Sequence, residues 1–183
     1  MKYVFMLLLL TLLVNCSQKK TQNLSFNNFD IEVAGEWKKL KLQGVDSDVG
    51  GFITENNDTV SFDYGPYSNS LEEDIVIFER KFVKEIIKEH PETDTSKMVI
   101  VSDLSKVNQE DFKINKKHYE KISGYNAKIV SPKRSGEGIT GVYFDSLGAS
   151  SLGKIKFILY GQNLNIKSQK DLLNAIRTIK FKK

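Results

Sequence analysis

The glycines at positions 136, 138 and 141 have the spacing in this chain that comes closest to a pattern with defined chemistry. They fit G-x-G-x-x-G, in which glycines let a dinucleotide pyrophosphate approach the start of a helix. That chemistry requires a helix directly after the glycines. Here the sequence continues with Val142, Tyr143 and Phe144, which favour a strand. We therefore interpret residues 136–141 as a hairpin loop and predict no nucleotide cofactor.

The two histidines, His90 and His118, are the next candidates for chemistry. They lie 28 positions apart and no second histidine or cysteine is near either one, so they do not form a metal-ligand spacing. We expect His90 at the end of a helix and His118 as a solvated strand residue. No serine, cysteine or phosphate-binding signature of a known enzyme class is present. The sequence predicts no metal and no catalytic residue.

Carboxylates are frequent, and their interpretation leaves one alternative open. Glu72, Glu73 and Asp74 are consecutive, and they suit the first turn of a helix, where the helix dipole favours negative charge. A pair of carboxylates that meets only in the folded chain has no sequence signature. A hydrolase of an envelope polymer, working through such an acidic pair, is therefore the alternative from the enzyme class.

Cys16 is the only cysteine in the chain, and it directly follows an apolar stretch. Lys2 precedes that stretch, and the apolar run ends at Asn15, too early for the about 20 residues that a membrane span requires. The segment Leu13-Val14-Asn15-Cys16 resembles the lipobox of bacterial lipoproteins. The resemblance implies cleavage before Cys16 and lipid attachment to it. An ordinary signal peptide with an incidental cysteine is the alternative.

The boundaries that follow are a signal peptide at residues 1–15, a lipidated tether at 16–25 and a single domain at 26–183. Removing residues 1–15 takes away one lysine and no acidic residue, so the formal charge falls from +4 to +3. Export excludes nucleic acid as the expected partner, and the mild positive charge is explained by solubility. We expect an envelope protein that is held at a membrane by lipid, in the outer membrane facing the periplasm.

The start of the domain alternates apolar and polar residues, which indicates strands. Phe29, Ile31 and Val33 form one run, and Trp37, Leu40 and Leu42 form a second one after Gly35. Residues 50–54 and 59–64 predict a hairpin that turns at residues 55–58. Further strands are predicted at residues 98–107, 118–122, 127–130, 139–146 and 154–160.

Two helices are predicted from apolar residues at steps of three and four. The first starts after Ser70, with Glu73 as its capping partner. Its inward face comprises Leu71, Ile75, Phe78, Phe82 and Ile86, and Val83 and Ile87 widen this apolar stripe. The second starts with a capping box of Ser168 and Asp171 and buries Leu172, Leu173 and Ile176, and a short strand at residues 179–181 follows. The fold class is therefore α+β, an antiparallel sheet flanked by two principal helices.

This order of elements resembles the PsbP-like fold. The local pieces that carry the resemblance are the strand leading to Trp37, the turn at residues 124–127, the strand end at 157–161 and the closing residues 179–181. The resemblance implies a non-enzymatic accessory or binding role without naming a partner, and no functional residue carries over.

The loop at residues 63–69 is the best candidate for a partner contact. It contains Tyr64 and Tyr67, and tyrosine is common in binding surfaces because its large ring loses little entropy on ordering. The alternative is a packed loop whose rings cover the end of the sheet. The basic, glycine-rich residues 128–141 are a weaker candidate for contact with an acidic partner. We expect an envelope protein as partner, with Tyr64 or Tyr67 at the contact.

Overall fold

The computed structural model of the protein describes residues 20–96 and 98–182. These ranges contain twelve strands and two α-helices. In chain order they are β1 (Thr21–Ser25), β2 (Phe29–Ala34), β3 (Lys38–Lys41), β4 (Asp48–Ile53), β5 (Thr59–Gly65), β6 (Ile77–Glu79), α1 (Arg80–Glu89), β7 (Val99–Val101), β8 (Asn115–Ile122), β9 (Tyr125–Pro132), β10 (Ile139–Ser150), β11 (Gly153–Gln162), α2 (Ile166–Ile176) and β12 (Lys180–Phe181).

The centre of the fold is a seven-stranded antiparallel sheet in the order β3-β4-β5-β11-β10-β9-β8. The predicted hairpin is confirmed as β4 and β5. Its turn is held by Thr54, whose Oγ1 accepts hydrogen bonds from the main-chain N–H groups of Asn56 (3.3 Å) and Asp58 (3.1 Å). Asn57 adopts the left-handed conformation that this turn requires, which asparagine tolerates well.

A second layer covers one face of this sheet and encloses the core. It consists of the three-stranded sheet β1-β2-β12 together with α2. Phe29, Ile31 and Val33 of β2 point into the core, as their alternation predicts, and α2 adds Leu172 and Ile176. Each of these side chains contributes roughly 1.5–3 kcal/mol by leaving water.

Strand β1 begins earlier than the predicted domain. It pairs with β2 from Thr21 opposite Ala34, and the Gln22 side-chain amide donates to the carbonyls of Gly35 (3.1 Å) and Trp37 (2.6 Å). The assignment of residues 16–25 to a tether is therefore wrong for residues 21–25. Polar side chains concealed this strand, because its pairing with β2 and the hydrogen bonds of Gln22, rather than a run of buried apolar residues, fix most of it.

Helix α2 is confirmed, but its predicted capping box is wrong. The N-cap is Asn165, whose Oδ1 accepts from the main-chain N–H groups of Lys167 and Ser168, both at 3.0 Å. Ser168 and Asp171 lie one and two turns further on and are buried. Since Asn165 already satisfies the free N–H groups, the helix starts before Ser168.

The first predicted helix is wrong in its first half. Helix α1 covers only Arg80–Glu89, and the preceding residues Ile77–Glu79 form β6, which pairs in parallel with β7. The chain cannot enter a helix at Leu71, because that residue has a φ of 55° and its N–H donates to Asn69 Oδ1 (2.8 Å). The inward residue of α1 is Val83, whereas Phe82 is 49% exposed.

Residues 74–113, which we call the excursion, leave the sheet and return to it. Glu73 closes the base of the excursion: its carboxylate accepts from the main-chain N–H groups of Ile114 (2.8 Å) and Asn115 (3.0 Å) and from Asn115 Nδ2 (2.8 Å). Within the described part of the excursion, Val83 is the only buried residue. Glu73 therefore joins two distant chain segments and does not cap a helix.

The fold class is α+β, with mostly antiparallel sheets and two helices in the described residues. The predicted strands at residues 118–122, 127–130, 139–146 and 154–160 are confirmed, and each is longer than predicted. The predicted strand at 98–107 is shorter, since only Val99–Val101 is extended and 3₁₀ turns follow.

Candidate functional site

The outer face, by which we mean the face of the seven-stranded sheet that points away from the core, carries both apolar and charged side chains. In β5, Val60 and Phe62 belong to the core, so Ser61 and Asp63 point to the outer face. Asp63 pairs with Val49 of β4 on one side and with Ile158 of β11 on the other. A carboxylate therefore lies between two aliphatic neighbours.

The same row continues across the sheet. Ile158 pairs with Tyr143 of β10, and Tyr143 pairs with Lys128 of β9. Two residues before Asp63, Ser61 of β5 pairs with Tyr160 of β11, and Tyr160 pairs with Gly141 of β10. Small residues on both sides of Tyr160 leave space above the sheet at this point.

Leu71 covers part of the outer face. It is 7% exposed and forms a second apolar cluster with Val130, Tyr143 and Ile158. A leucine in the left-handed conformation costs of order 1–3 kcal/mol. The burial of its side chain and the hydrogen bond of its N–H to Asn69 offset this cost, so Leu71 is fixed over the sheet.

The next residue, Glu72, holds two lysines of the outer face. Its Oε1 accepts from Lys128 Nζ (2.5 Å) and its Oε2 from Lys117 Nζ (3.3 Å). The hydrogen bond from Lys128 is the main reason that the pKa of Glu72 lies below its ordinary value. Lys128 is buried, and its ammonium lies 5.0 Å from the centre of the Tyr143 ring. The carboxylate and the ring together hold a buried cation.

The hydroxyl group of Tyr143 is held in place as well. It donates to Asp145 Oδ1 (2.9 Å), and Asp145 accepts from Lys154 Nζ (2.9 Å). Burial, assisted by the negative charge of Asp145, raises the pKa of Tyr143 to about 12. Tyr143 is therefore a neutral hydrogen-bond donor at physiological pH.

Between Leu71 and the strands β4 and β5, the outer face opens into a groove of about 680 Å³. This volume lies within the range of 300–1,000 Å³ that is usual for small-molecule sites. The groove is lined by Leu42, Gln43, Val49, Ser61, Phe62, Asp63, Asn69, Leu71, Glu72, Ile139, Ile158 and Tyr160. Apolar walls with a few polar groups on one side are the usual composition of a ligand site.

The two tyrosines of the predicted contact loop have different surroundings. Tyr64 packs against the core, with its ring centre 6.3 Å from that of Phe157, and burial raises its pKa above the ordinary value. Tyr67 is 65% exposed. The structure does not bring them to one surface patch. A partner contact at Tyr64 or Tyr67 stays a prediction, and Cys16 lies outside the described residues.

The other residues considered from the sequence have structural roles. Gly136 and Gly138 have positive φ angles in the turn between β9 and β10, which agrees with the hairpin interpretation. His90 follows the last residue of α1, as expected. His118 lies in β8, and its Nε2 is 2.8 Å from Glu120 Oε1.

Sequence reasoning missed the residues that form the groove. The alternation from Thr59 to Asp63 already indicates that Ser61 and Asp63 share one face, so this part could have been found. The contact between Glu72 and Lys128 spans 56 positions and has no local signal. Glu72 was predicted in the first turn of a helix, and its actual position depends on the turn at Leu71.

No group of three or more histidine, cysteine, aspartate or glutamate side chains in residues 20–96 and 98–182 is arranged to hold a metal ion. Neither helix in these ranges combines the length and the apolar character needed to cross a membrane.

Comparison with protein-family models, with curated proteins and with solved structures finds no match for this chain. The interpretation of the groove therefore depends on its own residues.

Proposed function

We propose that this protein is a bacterial envelope lipoprotein, lipidated on Cys16, whose PsbP-like domain is a non-enzymatic binding module. The order of strands, excursion helix, further strands and a terminal helix leading into β12 supports the fold assignment. The lipobox-like residues before Cys16 support the anchor. The groove on the outer face supports the binding role.

The observation that carries the binding role is the composition of the groove. Leu71 comes from a covering segment and Ile158 from the sheet, so two separate parts of the chain enclose an apolar space. The space has the size of a ligand site, and it lies on the face of the sheet opposite the main core. A face with such a space is suited to hold a partner group.

The alternative function, a hydrolase of an envelope polymer, needs a protonated carboxylic acid next to an ionised one. Asp63 and Glu72 are the two carboxylates of the groove. Glu72 accepts hydrogen bonds from two lysines, and its pKa is lowered, whereas a general acid at neutral pH needs a raised pKa. Glu72 is therefore not suited to be the general acid of such a pair.

The anchor would place the start of the domain close to a membrane. Only four residues separate Cys16 from Thr21, the first residue of β1. Even when fully extended, this segment spans at most about 18 Å. A partner in the same membrane would therefore meet the domain at a raised effective concentration.

In-cell photocrosslinking tests the proposal. A photoreactive amino acid is placed at Gln43, in the groove, or at Lys121, an exposed residue of the edge strand β8 on the far side of the sheet. We expect a recurring adduct from position 43, identified by mass spectrometry, and none of the same mass from position 121. Equal adducts from both positions, or none from position 43, would contradict a binding role for the groove.

A further inference from the structure

The charge of the groove is one-sided. Of the residues that line it, Asp63 and Glu72 are charged, and neither lysine, arginine nor histidine is among them. Glu72 is engaged by Lys128 and Lys117 from outside the lining. The carboxylate of Asp63 differs from that of Glu72 because it accepts its hydrogen bond from a neutral group, the hydroxyl of Ser68 (3.1 Å).

No cation of the described ranges, 20–96 and 98–182, forms an ion pair with Asp63. Its cross-strand neighbours, Val49 and Ile158, are aliphatic. Among the described residues, no cation therefore pairs with the carboxylate of Asp63, and its two immediate cross-strand neighbours are apolar. A cation that enters the groove would find a carboxylate within an apolar setting.

The outer face already holds one ammonium group in this way. Lys128 lies in the same cross-strand row as Asp63, is buried, and is held by the Glu72 carboxylate and the ring of Tyr143. The groove offers the same two components to a ligand, the carboxylate of Asp63 and the ring of Tyr160, and it adds the aliphatic side chain of Ile158. The site for Lys128 shows that a carboxylate and an aromatic ring together can accommodate a cation on this sheet.

We infer that the groove binds a small amphipathic cation, an ammonium or guanidinium group carried on an apolar body. The cation forms a charge-assisted hydrogen bond with Asp63 and lies against the Tyr160 ring, and the apolar body packs between Leu71 and Ile158. The volume of about 680 Å³ fits a molecule of small-ligand size. This inference rests on the proposed function and specifies its ligand class.

The test compares three probes of one shape and different charge: phenylbutylammonium, phenylbutanol and phenylbutyrate. The full-length chain is placed in zwitterionic lipid nanodiscs, and binding is followed by NMR of the methyl groups of Ile139 and Ile158, which line the groove. We expect the ammonium probe to bind at least about tenfold more tightly than the acid, because Asp63 attracts the one and repels the other.

Asp63→Asn is the matched variant, because the amide oxygen still accepts from Ser68 while the charge is lost. We expect its affinity for the ammonium probe to fall to that for the alcohol, whereas Asp74→Asn, at an exposed position outside the groove, leaves the preference unchanged. Equal affinity of the native chain for all three probes, or no methyl shift with any of them, would overturn the inference. The photocrosslink from Gln43 is independent of these probes. If that crosslink forms while the probes fail, the ligand class is wrong and the binding role stands.

Discussion

The ionised carboxylate of Glu120 joins the edge of the main sheet to the second layer. Its Oε1 accepts from Arg177 Nη2 (2.7 Å) and its Oε2 from Arg177 Nε (3.0 Å), a two-point contact between β8 and the end of α2. The hydrogen bonds from Arg177, and then the one from His118, lower the pKa of Glu120 to about 2. The charged form of Glu120 is therefore favoured by folding.

This pKa gives a pH dependence with a definite sign. The folded value of about 2 lies below the ordinary value of 4.5, so the stabilisation is fully present above pH 4.5 and is lost as the pH falls from 4.5 towards 2. We expect Glu120→Gln to melt at a lower temperature than the native chain at pH 6, with a difference that shrinks towards pH 2. Glu137→Gln, in the exposed loop between β9 and β10, is the control. A difference in melting temperature that does not change with pH would contradict this account.

Individual residues of the groove were only partly predictable from the sequence. Asp63 could be assigned to a sheet face from the alternation in β5, but its neighbour Ile158 lies 95 positions away, and the register of β5 with β11 decides which residues meet. Tyr64 was predicted at a binding surface because of its residue type, and its contact with Phe157 depends on the same register. The local sequence pattern predicts which face of the sheet a residue points to. The pairing of strands that are distant in the sequence determines which residues are its neighbours.

At the scale of elements, the excursion is the part of the described structure with the sparsest burial. A two-stranded sheet with one short helix is marginal by itself, and Glu73 supplies the hydrogen bonds at its base. Helix α1 buries Val83 alone. The excursion is therefore expected to open locally more often than the seven-stranded sheet.

Substitutions at two adjacent positions of α1 test this assignment. Val83→Asp places a charge without a partner in the only buried position of the helix, at a cost of about 3 kcal/mol or more, whereas Phe82→Asp affects a half-exposed ring. We expect Val83→Asp to increase hydrogen exchange in residues 77–101 while β5, β10 and β11 keep their protection. Phe82→Asp should leave exchange in both regions close to that of the native chain. The reverse order of the two variants would show that α1 presents a different face.

The elements were predictable to different degrees for a physical reason. Strands with one buried face, such as β2 and β5, show a period of two, because the core accepts every second side chain. The apolar residues from Leu71 to Phe78 have helical spacing by coincidence, since Leu71 packs on the sheet and Ile77 and Phe78 form a strand. The turn that Asn69 fixes at Leu71 prevents a helix from starting there. Hydrophobic periodicity does not detect such a turn.

At the scale of the whole molecule, the anchor is a prediction from the sequence that a substitution can test. Cys16→Ala removes the only thiol of the chain. We expect it to abolish labelling with radioactive palmitate and to release the protein from the membrane fraction, because each buried methylene of an acyl chain contributes about 0.8 kcal/mol. Ser17→Ala, which keeps the thiol, should be labelled normally. Unchanged labelling of Cys16→Ala would end the lipoprotein proposal.

We propose that the groove on the outer face is where the tethered domain holds its partner. Ser61 projects into the groove, and Thr59, two residues earlier in β5, projects from the same face outside the groove lining. A tryptophan at position 61 fills the space beside Tyr160, whereas a tryptophan at position 59 points into solvent.

The decisive measurement is the yield of the in-cell photocrosslink from Gln43 in these two variants, with the melting temperature measured in parallel. We expect Ser61→Trp to reduce the adduct at least about tenfold, the loss that corresponds to about 1.4 kcal/mol of binding free energy, with little change in the melting temperature. Thr59→Trp should crosslink like the native chain. An undiminished adduct in a folded Ser61→Trp protein would contradict the assignment of the groove as the binding site.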